Sequence, residues 1–323
     1  MKNSLYPLVF QPILKEKIWG GEKLEEHFNK PAHSKNVGES WEISTVPNDV
    51  SVVVNGDLKG NSLQDLVNKY TFKLLGKKNW KRFGNEFPLL IKFIDAKEDL
   101  SIQLHPNDEL AKKRHNSFGK TEMWYVMQAD KDANLIVGFN GDVDKETYLK
   151  HLKNNTLTEI LNFDKVKEGD TYFIEAGRVH AIGAGVLLAE IQQTSDITYR
   201  VYDWDRVDVH GNTRELHNDI AIDAFDFKMV NDFKIDYKKH KNASNKIVSC
   251  PFFTTNFIEI NSEIPKHNTY DSFIIYMCVD GNVEILTNGS NTMISKGETI
   301  LIPANIKDFK LKSDYGRLLE VYV

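Results

Sequence analysis

Cysteine is almost missing from this chain, with Cys250 and Cys278 the only two in 323 residues. So sparse a pair makes no disulfide framework, and a reducing, cytoplasmic setting is expected. Positive charge is not in excess either. Forty-one Lys and Arg against 46 Asp and Glu leave a formal net charge of −5, which argues against a dedicated nucleic-acid binder. Long apolar runs are lacking too. None approaches the roughly 18 residues of a membrane span, so no membrane partner is expected. The N-terminal run from Leu5 to Phe10 is interrupted by Pro7 and reads as too short for a secretory signal. What remains is ordinary for a globular protein, 41% hydrophobic and 27% charged, and the length suggests about two domains.

The patterning is mainly β. Ser40–Ser44 alternates, Ser51–Val54 is β-branched and ends at the Asn55-Gly56 turn signal, and Leu89–Ile94 reads as a short buried strand carrying Lys92. Trp19-Gly20-Gly21 reads as an irregular loop because paired glycines permit tight turns. Helical spacing interrupts the strands at 62–75, where Ser62 is a fitting N-cap, at 107–116 and at 144–161. A short helix is expected over 215–225. The Lys/Asn/Asp-rich stretch 230–246 reads as a linker between a domain at 1–229 and one at 247–323, which is nearly all short strands.

Residues 101–125 need a chemical explanation. Gln103 and His105 are two apart and so share a strand face, and Glu122 opens a second strand. Oxygen and nitrogen donors presented from strands suit a divalent metal such as Zn. Alone, a Q-x-H most often just caps a loop before a proline. An internal repeat adds weight. Gly169-Asp170-Thr171 and Gly297-Glu298-Thr299 each precede three apolar residues and a turn, and Met123–Met127 parallels Phe273–Met277. In that alignment Glu122 falls on Ser272 and His180 on Asp308. The tail keeps the strand and turn chemistry but has lost both candidate metal positions, which points to a site in the first copy.

The repeated turn resembles the second motif of the cupins, so two cupin-like jelly-roll barrels are expected, with helical insertions in the N-terminal part. Several motifs together resemble the short bacterial form of type I phosphomannose isomerase: Trp19-Gly20-Gly21, Trp41-Glu42-Ile43-Ser44, Ser101 to Pro106, Gly119 to Tyr125, Gly177 to Gly183 and Ser195 to Trp204. The resemblance spans residue 5 to the C-terminus. It implies one Zn per chain held by Gln103, His105, Glu122 and His180. Glutamine is an unusual Zn ligand and enters on the resemblance. The reaction implied is the interconversion of mannose 6-phosphate and fructose 6-phosphate through a cis-enediol.

For catalysis the resemblance points to Arg200 as a charge stabiliser. Asp196, an even offset away on the expected strand, is the leading acid/base, and Lys120 is suited to proton relay near a cation. Lys92, Glu190 and Trp19 match pocket positions and are assigned to substrate binding. The expected partner is a hexose 6-phosphate, with the chain a monomer or weak homo-oligomer. No glycine-rich phosphate loop or arginine cluster stands out, so the phosphate-binding residues are not placed. Two other readings stay open: a related cupin isomerase for another phosphosugar, and a non-catalytic sugar- or metal-binding cupin.

Overall fold

Alternating side chains between turn residues produce antiparallel sheets throughout. In a computed structural model of the chain, residues 4–323 other than 209 and 231 are described. The strands run β1 (Leu8–Val9), β2 (Ile13–Gly21), β3 (Val37–Ile43), the hairpin β4 and β5 (Thr45–Val46, Asp49–Val50), β6 (Leu89–Ala96) and β7 (Ile102–Leu104). They continue as β8 (Glu122–Ala129), β9 (Asn134–Phe139), β10 (Leu161–Lys165), β11 (Thr171–Ile174), β12 (His180–Ile182), β13 (Val186–Gln193) and β14 (Tyr199–Tyr202). The C-terminal part adds β15 (Asn245–Ser249), β16 (Thr254–Ile260), β17 (Glu263–His267), β18 (Ile274–Thr287), β19 (Ser290–Ser295), β20 (Thr299–Ile302), β21 (Asp308–Lys312) and β22 (Gly316–Tyr322).

A six-stranded sheet, β11-β8-β13-β6-β3-β2, faces a five-stranded one, β10-β9-β12-β7-β14. Even-numbered Ile94, Trp124, Val126 and Leu188 of the first pack with Leu135, Val137 and Ile182 of the second. Odd-numbered Ile91, Phe93, Met123, Tyr125 and Ile191 point the other way, into one core with Phe257, Ile275, Met277 and Leu319 of the C-terminal sheet. The first sheet is thus buried on both faces. Strand β1 lies in the C-terminal sheet, pairing Leu8 with Leu301.

The repeat is visible in the strand order. β20-β18-β22-β16-β15 corresponds to β11-β8-β13-β6-β3. Gly169 and Gly297 hold the same left-handed backbone, φ 85 and 84, which glycine adopts without steric cost. Each donates its N–H across the turn, to Val126 and Cys278. Those two bonds correct the sequence alignment by two residues. Thr171 faces Tyr125 and Thr299 faces Met277, so Glu122 corresponds to Ile274, not Ser272. A shift of two keeps every side chain on its own face.

Other expectations shift locally. Trp19-Gly20-Gly21 belongs to β2 and is not a loop. The glycines are there for close approach, since a Cβ on Gly20 would sit 2.4 Å from Asn36 O. The helix expected at 62–75 breaks at Thr71 (φ 50) into α2 (Leu63–Tyr70) and α3 (Phe72–Leu75). Ser62 caps it, its Oγ accepting the Asp65 N–H at 3.1 Å. Two helices were not legible, α1 (Lys23–Phe28) and α4 (Lys77–Phe83). α5 is Asp108–His115, capped by Asn107. The 144–161 segment is α6 (Lys145–Lys153), a 3-10 turn (Leu157–Ile160) and the start of β10. The helix expected over 215–225 is a single turn, α7 (Asn218–Ala221). Both cysteines are free thiols.

Candidate metal and substrate site

Between the two facing sheets lies a polar cavity of about 140 Å³. Two cross-strand rows of side chains build it. In the six-stranded sheet, Trp41 pairs with Lys92, Lys92 with Glu190, Glu190 with Trp124, and Trp124 with Tyr172. In the five-stranded sheet, Arg200 pairs with Gln103 and Gln103 with His180. Residues two apart extend each row on its own face, adding Glu39 beside Trp41, Ser101 beside Gln103 and Glu122 beside Trp124.

His105, Glu122 and His180 are buried together, one donor atom from each lying within 4.8 Å of the others. His105 Nε2 is 3.3 Å from Glu122 Oε1 and His180 Nε2 is 3.7 Å from Oε2. Both imidazoles are aimed from behind. His105 Nδ1 sits 2.8 Å from Ile197 O, and His180 Nδ1 2.8 Å from Arg178 O. A carbonyl there fixes the Nδ1–H tautomer and leaves the Nε2 lone pair pointing inward. Burial and the Lys120 charge push His105 down to about 3, and burial lowers His180 as well. Both rings are therefore neutral, as a metal ligand must be.

Burial would raise the Glu122 carboxyl, but Lys120 and His105 beside it hold it well below the usual range. Lys120 Nζ lies 2.8 Å from Glu122 Oε1. Even so, His105 Nε2, Glu122 Oε2 and His180 Nε2 have no hydrogen-bond partner, and Glu122 Oε1 has the Lys120 ion pair alone. Three converging unpaired acceptors in a buried site are what a divalent cation would satisfy. The residues fit the metal.

The cavity wall also carries Trp19, Lys92, Gln103, Lys120, Glu190, Asp196 and Arg200, so all ten sequence-derived residues sit in or against one site. Strand spacing does not explain Asp196, however. It is exposed in the loop before β14 and reaches the cavity from there. Lys92 is held protonated: burial opposes its charge, but Glu190 at 3.1 Å and Glu39 outweigh it. Burial and the Glu122 charge raise Glu190, whose Oε2 accepts from Trp124 Nε1 at 3.0 Å. Arg200 donates from Nε to Ser101 Oγ at 3.3 Å, and Ser101 Oγ donates to Gln103 Oε1 at 3.3 Å.

Several participants escaped sequence reading. Glu39 lines the cavity, accepting Trp41 Nε1 at 2.6 Å and pairing with Lys17. Burial would raise its carboxyl, but Lys92 and Lys17 bring it down to about 2. Alternation from Trp41 could have found it. His217 Nδ1 accepts the Arg200 N–H at 3.0 Å, and Arg214 reaches the cavity from a separate loop. No spacing announces those two.

A cupin fold enclosing a His-Glu-His group able to hold a metal ion defines the class: a cupin with a candidate metal site beside a polar, lysine- and arginine-lined cavity. The family description phosphomannose isomerase type I, catalytic domain, matches residues 8–133, and mannose-6-phosphate isomerase, cupin domain, matches 243–323. The mannose-6-phosphate isomerase ManA of Bacillus subtilis (strain 168) is 34% identical over 309 residues, covering 95% of this chain and 96% of that one. The mannose-6-phosphate isomerase of Streptococcus mutans is 34% identical over 313 residues, with the same coverage. A crystal structure of the mannose 6-phosphate isomerase from Bacillus subtilis superposes with a TM-score of 0.90 at 32% identity, covering 99% of this chain and 100% of that one. The chain belongs to the type I phosphomannose isomerase family, and it is an isomerase.

Proposed function

We propose that this chain interconverts D-mannose 6-phosphate and D-fructose 6-phosphate by proton transfer through a cis-enediol, with one Zn held by Gln103, His105, Glu122 and His180. The observation that carries the reading is the set of unpaired His105, Glu122 and His180 acceptors opening on a cavity with Lys120, Asp196 and Arg200 in its wall. When bound, the ion would supply positive charge that polarises the sugar oxygens and acidifies the neighbouring C–H.

The chain's own groups do the rest. A proton must leave C2 and arrive at C1. Asp196 is the proposed carrier, because its carboxylate is at the cavity wall and carries no structural ion pair among the described residues. Lys120 relays protons at the sugar oxygens. Arg200, fixed by Ser101, Glu215 O and the His217 contact, offers its planar donors to the developing enediolate. Lys92 and Glu190 hold hydroxyls, and Trp19 closes one side and limits water.

Incubating the purified, Zn-loaded protein with mannose 6-phosphate and coupling to fructose 6-phosphate formation tests this directly. Turnover that disappears with a strong chelator and returns with Zn is expected. Absence of turnover on any hexose 6-phosphate by the metal-loaded protein would sink the enzyme reading. In deuterated water the product should carry label at the reacting carbon, and none under slow exchange points to hydride shift instead.

A further inference from the structure

The cavity's cations are not equivalent. Lys17 lies 3.4 Å from Glu39, Lys92 3.1 Å from Glu190 and Lys120 2.8 Å from Glu122, each facing a carboxylate of the same wall. The facing sheet and the loop after it supply Arg200 and Arg214. Among the described residues no carboxylate hydrogen-bonds the Arg200 guanidinium, whose Nη1 is spent on Glu215 O at 2.9 Å. Arg214 grips Asp203 through Nε at 2.7 Å and Nη2 at 2.5 Å. Asp203 also takes Arg206 Nη2 at 2.7 Å, so two guanidiniums share one carboxylate. Arg206 also meets Glu98 at 3.6 Å, and burial and then Arg214 lower Arg200, with Asp203 opposing them.

We infer that Arg214, oriented by Asp203, binds the phosphate of the sugar substrate, with Thr198 lining the same cavity. This rests on the phosphosugar reading above. The Asp203 fork occupies Nε and Nη2 of Arg214, leaving Nη1 without a hydrogen bond to the described residues and available to an anion. The residue is delivered by a hairpin closed on Asp208, whose Oδ1 accepts the N–H groups of His210 and Asn212 and which is bridged by Val207 and Thr213. An open-chain hexose 6-phosphate has its reacting carbons and its phosphate at opposite ends. His180 and Gln103 lead along one row to Arg200, and the segment carrying Arg214 runs beside that strand, where the His217 N–H bonds Arg200 O at 2.7 Å. Asp203 is a positioning residue, acting through Arg214.

Two constants on the Zn-loaded protein decide it: KM for mannose 6-phosphate, and the dissociation constant of inorganic phosphate followed by tryptophan fluorescence. Losing a charged donor to the anion should raise both by about 10–100-fold in Arg214→Ala, with a smaller fall in kcat. Arg214→Lys should recover part of each, and Asp203→Asn should shift both in the same direction by less. Should Arg214→Ala not fold, Arg214→Lys is read for the same constants against wild type. Phosphate affinity within about twofold of wild type in a folded Arg214 variant overturns the inference, even if turnover falls. A wild type that binds phosphate through Arg214 but does not isomerise mannose 6-phosphate refutes the reaction and leaves the anion site standing.

Discussion

The two halves carry the same row of positions and use it oppositely. Strand pairing sets Trp124, Glu190 and Lys92 against Tyr276, Glu320 and Asn256. Both central glutamates are buried. Glu320 is fully satisfied: Tyr276 Oη donates to Oε1 at 2.8 Å, Lys266 lies 2.5 Å from the same oxygen, and Asn256 and Ser244 each donate to Oε2 at 2.8 Å. In the first half the neighbouring Glu122, His105 and His180 keep their acceptors open. Ile274 takes the place of Glu122, and the counterparts of Gln103 and His180 are His267 and Asp308, a solvent-facing ion pair 2.6 Å apart. A closed network stabilises, whereas an open one costs about 1–3 kcal/mol for each unmet buried group and so persists where a ligand completes it. The contrast locates the chemistry.

His180→Ala should break it most severely. Metal content measured by atomic absorption should fall at least about tenfold and turnover should vanish; a variant that keeps its metal would remove His180 from the ligand set. Arg200→Ala comes next, with kcat falling by about 10²–10³ while metal content holds. Loss of metal in that variant would mean that Arg200 supports the Gln103 side and not the enediolate.

The second half should respond in stability alone. Glu320→Gln places an amide N–H₂ among donors, and denaturant unfolding should show a loss of about 1–3 kcal/mol with metal content and kcat unchanged. Altered metal content would show that the halves are not functionally separate. Acid should weaken both halves by the same route. The Glu39 carboxyl, at about 2 when folded against an ordinary 4.5, contributes stability that is present above its unfolded value and lost as pH falls through that window. Glu320 is lowered in the same direction, its burial opposed by Lys266. Glu39→Gln should therefore flatten the decline of stability between about pH 4.5 and 2, and an unchanged slope would show the pairing with Lys17 and Lys92 to be too weak to matter. The smallest effect is expected from His267→Ala with Asp308→Ala. That exposed pair should leave the melting temperature within about 1–2 °C, and a large drop would give the second half a site of its own.

Much of this contrast was legible early because its signals are local. The glycine turn recurs since Gly169 and Gly297 both need a positive φ, and Q-x-H places two donors on one strand by period alone. The strand-rich class and the cap at Ser62 followed from the same short-range rules, whereas the full ligand set came with the family resemblance. The β2 glycines were misread because a glycine needed for close approach looks in sequence like one needed for a turn.

Sequence by itself pointed to the half that could hold a metal, since neither Glu122 nor His180 recurs at its aligned position in the tail. Only the tertiary structure decided how those residues meet. His180 pairs directly with Gln103 across two strands, and register, fixed by packing on both sheet faces, moved the repeat by two residues. It also brought Glu39 to Lys92 and carried Arg214 to the cavity wall. Such pairings are set by which faces must be buried, a property of the assembled sheets that no local spacing records.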